Sequence, residues 1–92
     1  MDTIVDLTLV EKQLKKLPSY IVVKLRSWAR DVELYGLKEV RKAPGYHDEG
    51  LKGKRLGQRS IRLSKAYRAI YLEDKNKRQI ILTVIEVNKH EY

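Results

Sequence analysis

The spacing of apolar residues changes partway along this chain of 92 residues, and that change restricts the fold more than any other feature. Between residues 19 and 35 the apolar side chains recur every three or four positions, which is typical of one buried stripe on a helix. The stripe consists of Ile21, Leu25, Trp28, Val32 and Tyr35. From residue 60 onward, in "SIRLS" and "YRAIYL", apolar and polar residues alternate, which is typical of strands. Helices followed by strands predict an α+β fold.

The remaining segments complete a predicted order of β-α-α-β-β-β. "TIVDL" predicts a short first strand, and Thr8 and Glu11 have the spacing of a capping box at the start of a helix that Pro18 ends. Gly36 is a natural end for the second helix. Residues 37–58 contain Pro44 and four of the five glycines, which predicts mostly loop with room for one short strand. After the turn "DKNK", "QIILTVIEV" is apolar on both faces and predicts a central strand. We therefore expect one domain over residues 1–92, a helical hairpin packed on a small, twisted, mainly antiparallel sheet.

The positive charge of the chain is concentrated in one segment. Residues 1–40 carry seven Lys or Arg and six Asp or Glu, and residues 69–92 carry four of each. Residues 41–68 carry nine Lys or Arg against two Asp or Glu, a net charge of +7 out of +8 for the whole chain. A basic face of this kind attracts nucleic acid or an acidic partner, and an ordinary solvated run of charges is the alternative interpretation.

Several kinds of site are disfavoured by composition. The chain has no cysteine, so disulfides and thiolate metal sites are excluded, and His47 and His90 with scattered acids are a weak basis for a metal site. "GLKGKR" is not a phosphate loop, because Arg55 stands where Ser or Thr would bind magnesium. No apolar run is long enough for a signal peptide or a membrane span. We expect a soluble, cytoplasmic protein without a metal, a cofactor or a membrane partner.

One reaction on a polyanion remains open to these residues. RNA can be cut without a metal when its own 2′-hydroxyl attacks the adjacent phosphate. The reaction needs a base, cations that stabilise the phosphorane, and an acid for the leaving 5′-oxygen. Glu49, the arginines and His90 are suitable groups, although composition alone favours an ordinary loop acid for Glu49 and no role for the polar tail. Arg68 shares a predicted strand face with Ile70 and Leu72, where it would need a partner.

The segment "EGLKGKRLGQRSIRLSKAYRAIYLE" and the tail "EVNKHEY" resemble the RelE/ParE superfamily of bacterial toxins from type II toxin–antitoxin pairs. They are most similar to the RelE-, YoeB- and HigB-like mRNA interferases, which share an acid, "LK", a glycine-bearing turn, an arginine-ended strand and "YR". The predicted order of elements also matches. The resemblance implies a metal-independent endoribonuclease that cleaves mRNA in the ribosomal decoding site. It also implies an acidic, DNA-binding antitoxin as the partner that silences it.

The resemblance also assigns roles to individual residues. It implies that Glu49 is the general base, that Arg68 stabilises the phosphorane, that His90 is the general acid, and that Tyr92 helps to hold the scissile nucleotides. Glu91 separates His90 from Tyr92, whereas the two are adjacent in YoeB-like tails. Some relatives use a lysine as the base, so Lys52 or Lys54 could take that role. The side chains expected to bind RNA phosphates are Lys52, Lys54, Arg55, Arg59, Arg62 and Lys65.

Two other functions stay open on the sequence. A ParE-like inhibitor of DNA gyrase would share the fold without needing acid–base residues, and the tail with His90 and Tyr92 argues against it. A catalytically inert RNA-binding module would share the basic segment. Discrete cleavages in cellular mRNA would separate the interferase from both alternatives.

Overall fold

The computed structural model describes residues 2–76 and 78–89 and has an α+β fold, as predicted. The helices are α1 (Glu11–Leu14), α2 (Ser19–Tyr35) and α3 (Leu37–Arg41). The strands are β1 (Asp2–Asp6), β2 (Glu49–Gly50), β3 (Gln58–Arg62), β4 (Tyr67–Lys75) and β5 (Gln79–Lys89). Short 3-10 turns lie at Thr8–Val10, Pro44–Tyr46 and Gly53–Arg55. No helix within the described residues is long and apolar enough to cross a membrane.

The five strands form one mixed sheet in the order β1-β5-β4-β3-β2. β1 runs parallel to β5, and the other neighbouring strands are antiparallel. β5 therefore lies inside the sheet, as its apolar residues predicted. The pairing of β4 with β5 is interrupted where Ile70 pairs with Glu86 and Tyr71 pairs with Val84. Because this bulge adds one residue to β5, Val84 and Val87 both point into the core although they are three positions apart.

The core lies between α2 and one face of the sheet. Ile21, Leu25, Trp28 and Val32 of the predicted stripe are fully buried, so the predicted core role of Trp28 is confirmed, whereas Tyr35 at the end of the stripe is exposed. The Trp28 ring packs against Tyr71 of β4 at 5.2 Å between centroids, with the rings tilted by 46°. Tilted aromatic pairs at this distance stabilise the fold beyond what the burial of their apolar area contributes. α2 ends at Gly36, whose φ of +87° lies in the region that favours glycine, as predicted for this position.

The start of the first helix differs from the prediction. Residues Thr8–Val10 form a 3-10 turn, and α1 adds only one α-helical turn without a side-chain cap. The Thr8 amide donates a hydrogen bond of 2.9 Å to the carboxylate of Asp6, so the capping box with Glu11 does not form. A local bond between side chain and backbone thus replaces the expected helix start. Gln13 compensates by bonding the backbone N–H and C=O of Val87, which ties α1 to β5.

Residues 37–58 contain more structure than the predicted loop. Leu37 and Val40 are the buried residues of α3, and this helix of five residues is too short for its periodicity to be recognised. The short strand expected in this segment is β2, which pairs Glu49 with Ser60 of β3. β2 is one of the two edge strands of the sheet, and it carries the acid of the predicted site.

Candidate active site

The candidate site is a cleft of about 410 Å³ on the sheet face that is turned away from α2. Pairing brings its residues together: Glu49 of β2 lies opposite Ser60 of β3, Ser60 lies opposite Ile70 of β4, and Arg68 lies opposite Asn88 of β5. Because side chains alternate along a strand, these residues face the same side. The lining residues are Glu49, Leu51, Arg55, Ser60, Arg68, Ile70 and Asn88.

A carboxylate and a guanidinium are paired in this cleft. The Arg68 Nη1 atom lies 3.4 Å from Glu49 Oε1 and donates a hydrogen bond of 3.1 Å to Ser60 Oγ. The Arg68 side chain is 22% exposed and the Glu49 side chain 49% exposed, so both can be reached from solvent. Arg68 thus has the partners that its apolar strand face requires. A guanidinium has five N–H donors, so Arg68 retains donors for an incoming anion.

His47 contacts the second oxygen of the same carboxylate. Its Nε2 atom lies 3.6 Å from Glu49 Oε2, an ion-pair distance, and its side chain is 58% exposed. The backbone of His47 has φ 46° and ψ 51°, in the left-handed region. Sequence analysis considered His47 only as a weak metal ligand. Its position two residues before Glu49 was the available indication that the two side chains could lie on the same side.

Asp48 was missed by sequence analysis, and its buried side chain holds the site in place from the interior of the protein. Its side chain is 1% exposed and points to the opposite face from Glu49. The Tyr71 hydroxyl donates a bond of 2.5 Å to Asp48 Oδ2, and Arg59 Nε donates a bond of 2.7 Å to Oδ1. Arg41 Nε lies 3.7 Å from Oδ2. Burial raises the pKa of Tyr71 above its ordinary value, and the bond to Asp48 adds to the rise while Arg41 opposes it.

The residues expected to bind RNA occupy different settings. Arg59 donates its Nε–H to buried Asp48, so this group stabilises the fold and is not available to RNA. Arg55, at the cleft, bonds Gln58 at 2.8 Å and Glu86 at 2.5 Å, and the bond from Arg55 lowers the pKa of Glu86 although burial opposes the shift. Within the described part of the chain, four others have no carboxylate at ion-pair distance: Lys52, Lys54, Arg62 and Lys65.

Arg62 lies directly opposite Arg68 in the register of β3 and β4. Two like charges in directly opposed positions of a sheet destabilise it unless a counter-charge is near. Glu49 supplies one such charge to Arg68. The remaining positive charge at this end of the cleft is suited to an anion.

The last two predicted catalytic residues, His90 and Tyr92, lie outside the described residues, as does Glu91. β5 is described as far as Lys89, which pairs with Tyr67, and Asn88 lines the cleft. Across residues 2–76 and 78–89, no group of three His, Cys, Asp or Glu side chains is placed to hold a metal ion.

No protein-family model matches the sequence, and no curated protein matches it. The structure, in contrast, is similar to solved toxins over nearly its whole length. A YoeB/ParE toxin from Agrobacterium tumefaciens is 20% identical, with a TM-score of 0.65 over 99% of this chain and 100% of that one. The toxin–antitoxin complex RelBE2 from Mycobacterium tuberculosis gives 21% identity and a TM-score of 0.67 over 98% of this chain and 100% of the matched chain.

A third similar structure is the YoeB–YefM complex from Staphylococcus aureus, with 18% identity and a TM-score of 0.64 over 99% of this chain and 98% of the matched chain. These structural neighbours are toxins of toxin–antitoxin systems. At such low identity the likeness is one of fold. The predicted RelE-like fold is confirmed.

Proposed function

We propose that this protein, whose fold is that of the RelE/ParE toxins, is the toxin of a type II toxin–antitoxin pair and cleaves mRNA as an endoribonuclease. The observation that carries the proposal is the pairing of Glu49 with Arg68 at 3.4 Å in a solvent-accessible cleft on a basic face. A base and a phosphate-binding cation are the groups that metal-independent cleavage of RNA requires side by side.

In the proposed reaction Glu49 takes the proton of a 2′-hydroxyl, and the 2′-oxygen attacks the adjacent phosphorus. Arg68 donates hydrogen bonds to the phosphate oxygens as charge grows on the phosphorane. The bond from phosphorus to the 5′-oxygen breaks, which leaves a 2′,3′-cyclic phosphate and a 5′-oxygen that needs a proton. We assign that proton to His90, by resemblance to the family. Lys52 and Lys54 remain the alternative bases.

The basic segment supports RNA as the ligand. Arg62 opposes Arg68 across two strands, an arrangement that a bound phosphate would relieve. Lys52, Lys54 and Lys65 are exposed and can follow an RNA backbone beyond the cleft. We propose mRNA at the ribosomal decoding site as the substrate and the cytoplasm as the place of action, both by resemblance to the family.

An antitoxin is the proposed protein partner. Two of the similar structures are complexes of a toxin with an antitoxin, RelBE2 and YoeB–YefM. A face with a net charge of +7 over residues 41–68 suits an acidic antitoxin segment. The antitoxin would then compete with RNA for the same charges.

Primer extension on cellular mRNA after brief induction tests the proposal. The wild type should produce discrete cleavages within codons. Arg68→Ala should stop them while circular dichroism shows an unchanged fold. Arg78→Ala, an exposed arginine outside the cleft, is the matched control and should cleave like the wild type. DNA damage with intact mRNA would indicate a gyrase inhibitor instead. If both mRNA and DNA stay intact, the alternative of a catalytically inert RNA-binding module would be favoured.

A further inference from the structure

The backbone of His47 lies in the left-handed region, which few residues other than glycine adopt. Its φ is 46° and its ψ is 51°, and among residues 2–76 and 78–89 no other non-glycine residue has a positive φ. For a residue with a Cβ atom the left-handed region is unfavourable, and Gly or Asn would adopt it at lower cost. Strained residues of this kind concentrate where a side chain is needed for function. The unfavourable backbone therefore indicates that the imidazole side chain of His47 has a function.

The imidazole lies against the carboxylate that we assign as the base. Each oxygen of the Glu49 carboxylate has a side-chain nitrogen near it: Arg68 Nη1 lies 3.4 Å from Oε1 and His47 Nε2 lies 3.6 Å from Oε2. Arg68 makes its contact from β4, and His47 makes its contact from the turn that precedes β2. Asp48 lies between His47 and Glu49 in the sequence, and its buried side chain is bonded to Arg59 and Tyr71. The segment that carries the His47 and Glu49 side chains is therefore fixed at its centre.

Binding of a phosphate would change these contacts unequally. In the proposed reaction Arg68 must direct its N–H groups to the phosphate, which removes the partner of Oε1 and places an anion near Glu49. His47 is on the far oxygen and can keep its contact. A carboxylate that has lost both partners would be free to rotate and would be repelled by the phosphate.

We propose that His47 is a positioning residue for Glu49, which it holds through Oε2 while Oε1 accepts the proton of the 2′-hydroxyl. The imidazolium and one neutral tautomer both carry an Nε2–H group that can be directed at Oε2. This inference rests on the proposed function. It adds a residue that the family resemblance does not assign.

The test compares single-turnover cleavage of ribosome-bound mRNA by the full chain and its variants. His47→Gly removes the ring but suits the left-handed backbone, so the thermal midpoint should be unchanged or higher. The cleavage rate should fall by about 10- to 100-fold, since a loosely held base loses part of the usual 10²–10⁴ contribution. Binding of a 2′-O-methyl RNA, which cannot be cleaved, should be nearly unchanged. His47→Gln supplies an N–H donor of similar reach and should restore part of the rate.

A double-mutant cycle shows whether His47 acts through Glu49. In a Glu49→Gln background, His47→Gly should cause no further loss of rate, because the base it positions is already absent. An equal further loss in that background would overturn the inference. So would wild-type cleavage by His47→Gly, or a lowered thermal midpoint of that variant, which would make His47 a structural turn residue.

The outcome for Arg68 separates this inference from the proposed function. If Arg68→Ala stops cleavage and His47→Gly cleaves at the wild-type rate, the proposed function stands and the role of His47 falls. If the wild type itself leaves the mRNA intact, the proposed function and the role of His47 fall together.

Discussion

Substitution of the buried Asp48 tests whether its hydrogen-bond network holds the candidate site in place. Its side chain is 1% exposed, and it accepts hydrogen bonds from Tyr71 at 2.5 Å and from Arg59 at 2.7 Å. Asp48→Ala would remove both acceptors and leave the Tyr71 hydroxyl and the two nearby guanidinium groups without their shared anion. Breaking a buried ion pair on one side typically costs about 3–5 kcal/mol of unfolding free energy.

The exposure of the arginines places this variant at the lower end of that range. The side chains of Arg41 and Arg59 are 31% and 30% exposed, so each can turn partly to water when the anion is lost. Arg41 also keeps its bond to Glu73 at 2.9 Å. We therefore expect Asp48→Ala to lower the unfolding free energy by about 3 kcal/mol. Asp48→Asn, which retains one acceptor oxygen, should lower it by about 2 kcal/mol, in the range for a hydrogen bond to a charged group.

Urea unfolding followed by circular dichroism measures these changes, provided that the m-value is the same in all variants. Asp74→Asn is the matched control, because Asp74 lies on β4 with an exposed side chain, and it should change the free energy by less than about 0.5 kcal/mol. Were Asp48→Ala as stable as this control, the buried network would not hold β2 in place. The account of how Glu49 is positioned would then be wrong.

Three further predictions follow from the charges and the pKa shifts. RNA binding should weaken steeply with salt, with a log–log slope of about −3.5 if Arg68, Lys52, Lys54, Arg62 and Lys65 each neutralise one phosphate of a single strand; a flat dependence would contradict this. His90→Gln should bind RNA like the wild type and cleave it about 10²–10⁴-fold more slowly, as measured in single turnover, and equal rates would remove His90 as the acid. Because the pKa of Tyr71 is raised in the folded protein, its neutral phenol stabilises the fold fully below the unfolded value of about 10, and this contribution is lost as the pH rises above it. The difference in unfolding free energy between wild type and Tyr71→Phe should therefore shrink from pH 9 to pH 11, and a constant difference would refute the assignment.

The periodic elements could be predicted from the sequence because their spacing is a local property. The stripe from Ile21 to Val32 determined α2 and its buried face, and alternation determined β3 and β4. The charge count identified the basic segment, and the apolar neighbours of Arg68 indicated that it needs a partner. The resemblance of the second half to a family selected Glu49 and Arg68, which lie 3.4 Å apart in the cleft.

The elements without a period, and every contact across the sheet, were decided by the tertiary structure. α3 and β2 are too short to show a pattern, and β1 pairs in parallel with β5, which begins more than seventy residues later. Asp48 and Glu49 are equivalent acids in the sequence. Pairing of β2 with β3 places Glu49 in the cleft, whereas Asp48, the residue just before β2, is buried against Tyr71 and Arg59. The contact of His47 with Glu49 depends on a left-handed backbone that this residue adopts only within the folded turn.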